Sequence, residues 1–303
     1  MRWLFRVLAV VLLFAGGAGA RADFYDSARD PLTQQIESGT LSGDALATAY
    51  LKRGYLWMLS RNAEQSLADF NQAIAAAPKM VDAYELRAEL FRATGRIDQA
   101  IDDASQAITL APTSNAQPYF LRAEIWEQKG DYGKAVADYD AGLGRDPKVW
   151  AGRMQRGLAL AKLGDDARAL PALDEAIKTD PHTLRTEHHK ECVRTQAQTT
   201  PNCKTVDRPI STDELMQRAY RSRGVILLNQ GAYELAAADL DRAGYTDGAK
   251  VYLGLARMAL GKCQAGYGAV RQGSDHDSVP LEEALAKHRE FIMKTKCADY
   301  VFN

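Results

Sequence analysis

A pattern that recurs about every 34 residues constrains this chain more than any other feature. Its clearest copy is VDAYELRAELFRATGRIDQAIDDASQAITLAPTS, residues 81 to 114. Tyr84, Arg87, Ala88 and Phe91 fall at helical intervals, Gly95 interrupts, Ala100, Ala104 and Ala107 resume the period, and Pro112 ends the unit. That order predicts a helix, a turn and a second helix. A helix pair of this size buries its apolar faces only against copies of itself, so the copies must stack. A 303-residue array of such pairs needs no single central core and is expected to form one elongated domain.

Further copies follow the same positions. Residues 47–80 carry Tyr50, Gly54, Trp57, Phe70, Ala73 and Pro78, with Ser66 where a small Ala is usual. Residues 116–149 carry Tyr119, Ala123, Trp126, Gly130, Tyr132, Ala135, Tyr139 and Pro147; residues 150–183 carry Gly157, Gly164, Ala169, Ala176 and Pro181. The pattern resumes at 217 with Tyr220, Gly224, Leu227, Gly231, Tyr233, Ala236, Leu240 and Ala243. A degenerate sixth copy begins near 247 with Gly254, Gly261 and Gly266. Small residues at positions 8 and 20 of a unit let its helices approach, and large ones at 4, 11 and 24 fill the space between units. Trp57, Trp126 and Tyr139 are therefore expected to pack the stack.

The strings YLKRGYLW, DAYELRAELF and AYRSRGVILL, followed by QSLADFNQAI, QAIDDASQAI and ELAAADLDRA, resemble the tetratricopeptide repeats of exported bacterial proteins. The resemblance covers roughly residues 30–183 and 217–270. It implies an all-α fold, an α-solenoid (a right-handed superhelix) of five to six helix-turn-helix repeats, which binds partners rather than transforming substrates. In such a fold the first helices of the units line a concave groove through positions 2, 5, 9 and 12. On this chain those positions are Leu51, Tyr55 and Met58 in the first unit, Asp82, Glu85, Glu89 and Arg92 in the second, and Gln117, Phe120, Glu124 and Glu127 in the third. Met154, Leu158, Val225 and Leu228 continue the series. Chaperone-binding relatives place Lys and Asn where this chain has Leu51 and Tyr55, which argues against an acidic C-terminal peptide as ligand. The expected partner is a protein or peptide segment with Lys or Arg in the middle and apolar anchors beside it.

The flanks depart from the repeat. Residues 1–22, MRWLFRVLAVVLLFAGGAGARA, have a basic start, an apolar run from Val7 to Ala15 and small residues at Ala20 and Ala22. They read as a secretory signal cleaved after Ala22, predicting a periplasmic or secreted protein with no stable membrane span after cleavage. The cut removes three of 38 basic residues and none of 39 acids, taking the formal charge from -1 to -4, which gives no sign of nucleic acid as partner. Residues 23–46 form an N-terminal cap segment in which Asp30, Pro31 and Gly39 mark a short helix. Repeats one to four occupy 47–183 and repeats five and six occupy 217–272. Between them, residues 184–216 are a polar loop insertion that carries Cys192 and Cys203. Residues 273–280 predict a second polar loop. Residues 281–297 predict one capping helix with Leu281, Leu285, His288 and Ile292 on one side.

Two regularities carry structural chemistry. Arg53, Arg87, Arg122, Arg156 and Arg223 all stand at position 7, and Asp69, Asp103, Asp138 and Asp239 at position 23, with Ala172 breaking the series. Ion pairs within each unit are expected. Four cysteines in an exported chain favour disulfides, here Cys192 with Cys203 and Cys263 with Cys297. The alternative for the insertion is a metal site drawn from His182, His188, His189, Cys192 and Cys203, whose irregular spacing lacks the tight ligand pairs of structural zinc. No CxxC, GxSxG, HExxH or Gly-rich phosphate loop occurs. The expectation is a scaffold that is not an enzyme and uses no cofactor, its sites being the groove and the disulfides.

Overall fold

The computed structural model describes residues 18–179, 186–193, 202–209 and 214–302, with side chains from Tyr25 onward except in 186–193, 202–209 and at Asp247. The chain divides into two compact units after Asp146. The first contains α1 (Ala18–Glu37), α2 (Gly43–Leu59), α3 (Ala63–Ala76), α4 (Val81–Ala93), α5 (Ile97–Leu110), α6 (Gln117–Lys129) and α7 (Tyr132–Arg145). In the second, α8 (Trp150–Leu163) and α9 (Asp166–Lys178) precede β1 (Thr186–Val193) and β2 (Asn202–Pro209). Next come α10 (Glu214–Asn229), α11 (Tyr233–Arg242), α12 (Ala249–Ala259) and α13 (Cys263–Asp277). The short helices α14 (Leu281–Lys287), α15 (Arg289–Met293) and α16 (Ala298–Phe302) end the chain.

The six expected repeats are the six helix pairs from α2–α3 to α12–α13. Burial follows the repeat positions. Ala88, Phe91, Ala100, Ile101, Ala104, Leu121 and Ile125 form one cluster across the second and third pairs, with Trp126 packed against it. Tyr139 is fully buried, 6.3 Å from Phe120 between ring centroids. Where Ser66 replaces Ala, its hydroxyl donates to the Gly54 carbonyl at 2.9 Å, so the close helix approach is kept and no polar atom is orphaned. The turn between the two helices of a pair requires a left-handed residue at position 15. Gly95, Gly130, Gly164, Gly231 and Gly261 supply it at φ between 74° and 84°, and Arg61 supplies it in the first pair at φ 62°.

The Arg and Asp series forms four forks of one geometry. Arg53 Nε and Nη2 donate to the two oxygens of Asp69 at 2.9 and 2.8 Å, and Arg87 does the same to Asp103 at 2.7 Å twice. Arg122 to Asp138 repeats it at 2.7 Å twice, and Arg223 to Asp239 at 2.6 and 2.8 Å. The acids are buried and the arginines mostly so. Hydrogen bonding to Asp69, Asp103 and Asp138 raises the pKa of Arg53, Arg87 and Arg122. At Arg223 burial works against the cation, and Asp239 outweighs it, so this pKa is raised too. These bidentate pairs set the phase of one helix on the other more than they add net stability, because desolvation offsets much of the attraction.

The flanks differ from the sequence expectation in four places. The short helix expected from Asp30 is the end of α1, which starts at Ala18 and carries Pro31 inside it. A proline there removes one backbone bond. Tertiary contacts hold both sides of it: Arg29 lies 3.7 Å over the Trp57 ring and donates to Ser60 at 3.1 Å, and Thr33 accepts from Arg53 at 3.2 Å. The predicted cut after Ala22 thus falls within α1; residues 1–17 lie outside the described ones.

The insertion is not only a loop, because β1 and β2 pair as an antiparallel ribbon. Its register sets Glu187 opposite Arg208, Glu191 opposite Lys204 and Cys192 opposite Cys203. The predicted loop at 273–280 is helical as far as Asp277, because Gly273 and Ser274 are buried in the last pair, where a Cβ on Gly273 would come within 2.9 Å of Val251. The single capping helix expected over 281–297 is two short ones, α14 and α15, with α16 following them. Thr295 donates its hydroxyl to Ile292 at 2.7 Å and accepts the Cys297 amide at 3.2 Å, and this local bonding ends the helical ladder. The Cys263–Cys297 disulfide is present and ties the segment after α15 to the start of α13. Closing a loop of this length contributes about 4 kcal/mol on the chain-entropy view.

Candidate functional site

The groove positions lie on the first helix of each pair. In the first unit α2 packs beside α4 and α4 beside α6, so three such helices stand in a row. Leu51, Tyr55 and Met58 on α2 are half-buried. On α4, Asp82 is exposed, Glu89 and Arg92 are half-buried, and Glu85 is only 2% exposed. On α6, Gln117 is exposed, Glu124 and Glu127 are half-buried, and Phe120 is buried. A Cβ on Gly142 would come within 2.7 Å of the Phe120 ring, so Phe120 fills the gap beside α7.

In the second unit Met154 and Leu158 on α8 and Leu228 on α10 are buried, and Val225 is half-buried. Five of the fifteen groove residues, Glu85, Phe120, Met154, Leu158 and Leu228, are therefore closed to solvent. The reachable remainder of the first unit is an apolar patch from Leu51, Tyr55 and Met58, followed by carboxylates at Asp82, Glu89, Glu124 and Glu127 with Arg92 and Gln117 among them.

The same positions also fall on Arg218 and Arg221, at 2 and 5 of the fifth repeat, which the sequence reading left out. Both are half-buried, and Arg221 lies 5.5 Å from the Tyr252 ring centroid. Applying the position rule to the first turns of α10 would have found them. The metal candidates are not brought together by any described contact: His182 lies outside the described residues, as do the side chains of His188, His189, Cys192 and Cys203. Among the described residues no cluster of His, Cys, Asp and Glu could hold a metal ion, and no helix is long and apolar enough to cross a membrane.

A family model for the tetratricopeptide repeat matches residues 45–115 and 119–182. Residues 45–182 are thus tetratricopeptide repeats. The match covers the first four helix pairs. No curated protein matches the sequence. Among solved structures the repeat protein resembles YrrB, described as a TPR protein with an unusual peptide-binding site, with a TM-score of 0.51 and 16% identity over 71% of this chain and 91% of that one. It also resembles PilF of Pseudomonas aeruginosa, with a TM-score of 0.59 and 12% identity over 80% and 97% of the two chains. PilW, a type IV pilus biogenesis factor, aligns with a TM-score of 0.54 and 15% identity over 85% and 99%. At these identities the likeness is one of fold.

Proposed function

We propose that this protein is a non-enzymatic scaffold, exported to the periplasm or secreted, that holds a protein or peptide partner on the first-helix face of its first unit. The repeat fold supports the coarser part, since such stacks work by protein interaction. The observation that carries the finer part is the order of accessible groups on α2, α4 and α6, with Leu51, Tyr55 and Met58 beside Asp82, Glu89, Glu124 and Glu127. The partner this face fits is a segment with Lys or Arg in the middle and apolar anchors at one end. Its association weakens with salt. YrrB, whose fold is similar, is described as having a peptide-binding site, which agrees with this use of the stack.

The test is charge reversal at Glu89→Lys, Glu124→Lys and Glu127→Lys together. Glu85 is left alone, because reversing a buried group would test folding instead. Capture of the native partner from envelope extract should be lost while helicity and melting temperature stay near wild type. Capture at wild-type level by a folded triple variant moves the binding surface elsewhere.

A further inference from the structure

Each arginine fork has a third bond that the repeat pattern does not announce. Asp takes Nε and Nη2, which leaves Nη1 pointing back at the helix that precedes its pair. Arg53 Nη1 donates to Thr33 Oγ1 on α1 at 3.2 Å, Arg87 Nη1 to Asn71 Oδ1 on α3 at 2.7 Å, and Arg122 Nη1 to Ser105 Oγ on α5 at 3.0 Å. Arg223 Nη1 donates to Asp174 Oδ1 on α9 at 2.6 Å. Asn71, Ser105 and Asp174 all stand at position 25 of their repeats. One guanidinium thus joins the two helices of its own pair and links that pair to the one before it.

Three of these links end on a neutral group and one on a carboxylate. The charged one lies where chain connectivity is weakest. Between α3 and α4 the chain runs through residues 77–80, and between α5 and α6 through 111–116. Between α9 and α10 it runs through residues 179–213, the insertion. A longer connection makes docking of the next pair entropically dearer, so the contact that docks it must be stronger. Arg223 is 14% exposed and is held by two carboxylates at once, with Asp239 on one side and Asp174 on the other. Charge-assisted bonds to a mostly buried guanidinium are stronger than the neutral bonds of the other links.

We infer that Arg223 and Asp174 form a clasp that carries helix stacking across the insertion, so that α10 stays docked on α9 without help from the chain between them. The insertion is then an appendage to the second unit and not a strut within it. The test cuts the covalent connection. A site for a sequence-specific protease is introduced between Ser211 and Thr212 in the full chain, outside the ribbon and both of its cysteines, and the cut protein is followed by size-exclusion chromatography. The two fragments should remain one species and separate slowly. Asp174→Ala, at a position partly open to solvent, should speed separation about fivefold with unchanged helicity. Raising salt from about 0.05 to 0.5 M should speed separation of the otherwise unaltered protein and leave Asp174→Ala nearly unaffected. Asp174→Asn, which keeps an acceptor and loses the charge, should lose most of that salt dependence. Immediate separation on cutting, or a wild-type rate in Asp174→Ala, overturns the inference.

Discussion

The second helix pair, α4–α5, and the last, α12–α13, have the same architecture and hold it by different means. In α4–α5 the phase is set by Arg87 on Asp103, with Ala88 and Ala100 filling the space between the helices. In α12–α13 the fork positions hold Leu253 and Ala269, and the helices are pressed together over Gly254 and Gly266. A Cβ on Gly254 would come within 2.6 Å of the Gly266 carbonyl oxygen, and one on Gly266 within 2.9 Å of the Gly254 carbonyl oxygen. Backbone meets backbone there. The Val270 and Met258 side chains come nearer still, at 2.4 and 2.6 Å, whereas at Gly54, Gly157 and Gly224 of the other pairs only the side chains of Phe70, Leu173 and Leu240 come closer than 3.0 Å. A polar fork orients two helices at ordinary spacing, whereas paired glycines orient them by proximity, and the last pair adds the Cys263–Cys297 tie. The sixth repeat is degenerate as a pattern, yet at Gly254 and Gly266 it brings backbone nearer to backbone than Gly54, Gly157 and Gly224 do.

That contrast breaks most readily at Gly254. Gly254→Ala should cost about 3 kcal/mol, since a backbone carbonyl cannot step aside as a side-chain tip can. Gly224→Ala, whose nearest backbone atom is the Ala236 carbonyl oxygen at 3.3 Å, should cost clearly less. Equal losses in thermal unfolding of the two variants would remove the distinction between backbone and side-chain contact.

The fork is tested by separating phase from stability. Asp103→Ala strands the mostly buried Arg87 and should cost about 2 kcal/mol, discounted for the part of the guanidinium that water still reaches. Arg87→Met combined with Asp103→Leu should recover most of that loss in denaturant titration. A double variant as unstable as the single one would show that the pair contributes net energy and not only register.

The smallest expected effect sharpens the comparison at the turn, which both regions share. Arg61 holds the left-handed position that Gly95 and Gly261 hold in α4–α5 and α12–α13. Arg61→Gly should stabilise the first pair by about 1 kcal/mol by removing a backbone strain that glycine does not feel. A lower melting temperature would mean that the Arg61 side chain contributes more than the turn costs.

Legibility varied with how local the cause was. The six pairs and the Arg–Asp forks could be read because each depends on spacing along one or two helices, and the Cys263–Cys297 bridge because an exported chain with four cysteines favours disulfides. The groove could be read only as positions. Glu85 and Asp82 stand on the same helix face of one unit, and neighbouring helices close over the first and leave the second open. The helical run through Gly273 and Ser274 was hidden for the same reason, since a glycine-serine sequence favours a loop until Val251 lies against it.

Period, turn chemistry and charge phase belong to the sequence, because a helix of 3.6 residues per turn converts spacing directly into faces. Which members of a face are buried, and where the third donor of each arginine goes, depends on the next pair in the stack. Asn71, Ser105 and Asp174 share no residue type and form no motif; only the docking of one pair on another shows that they do the same work.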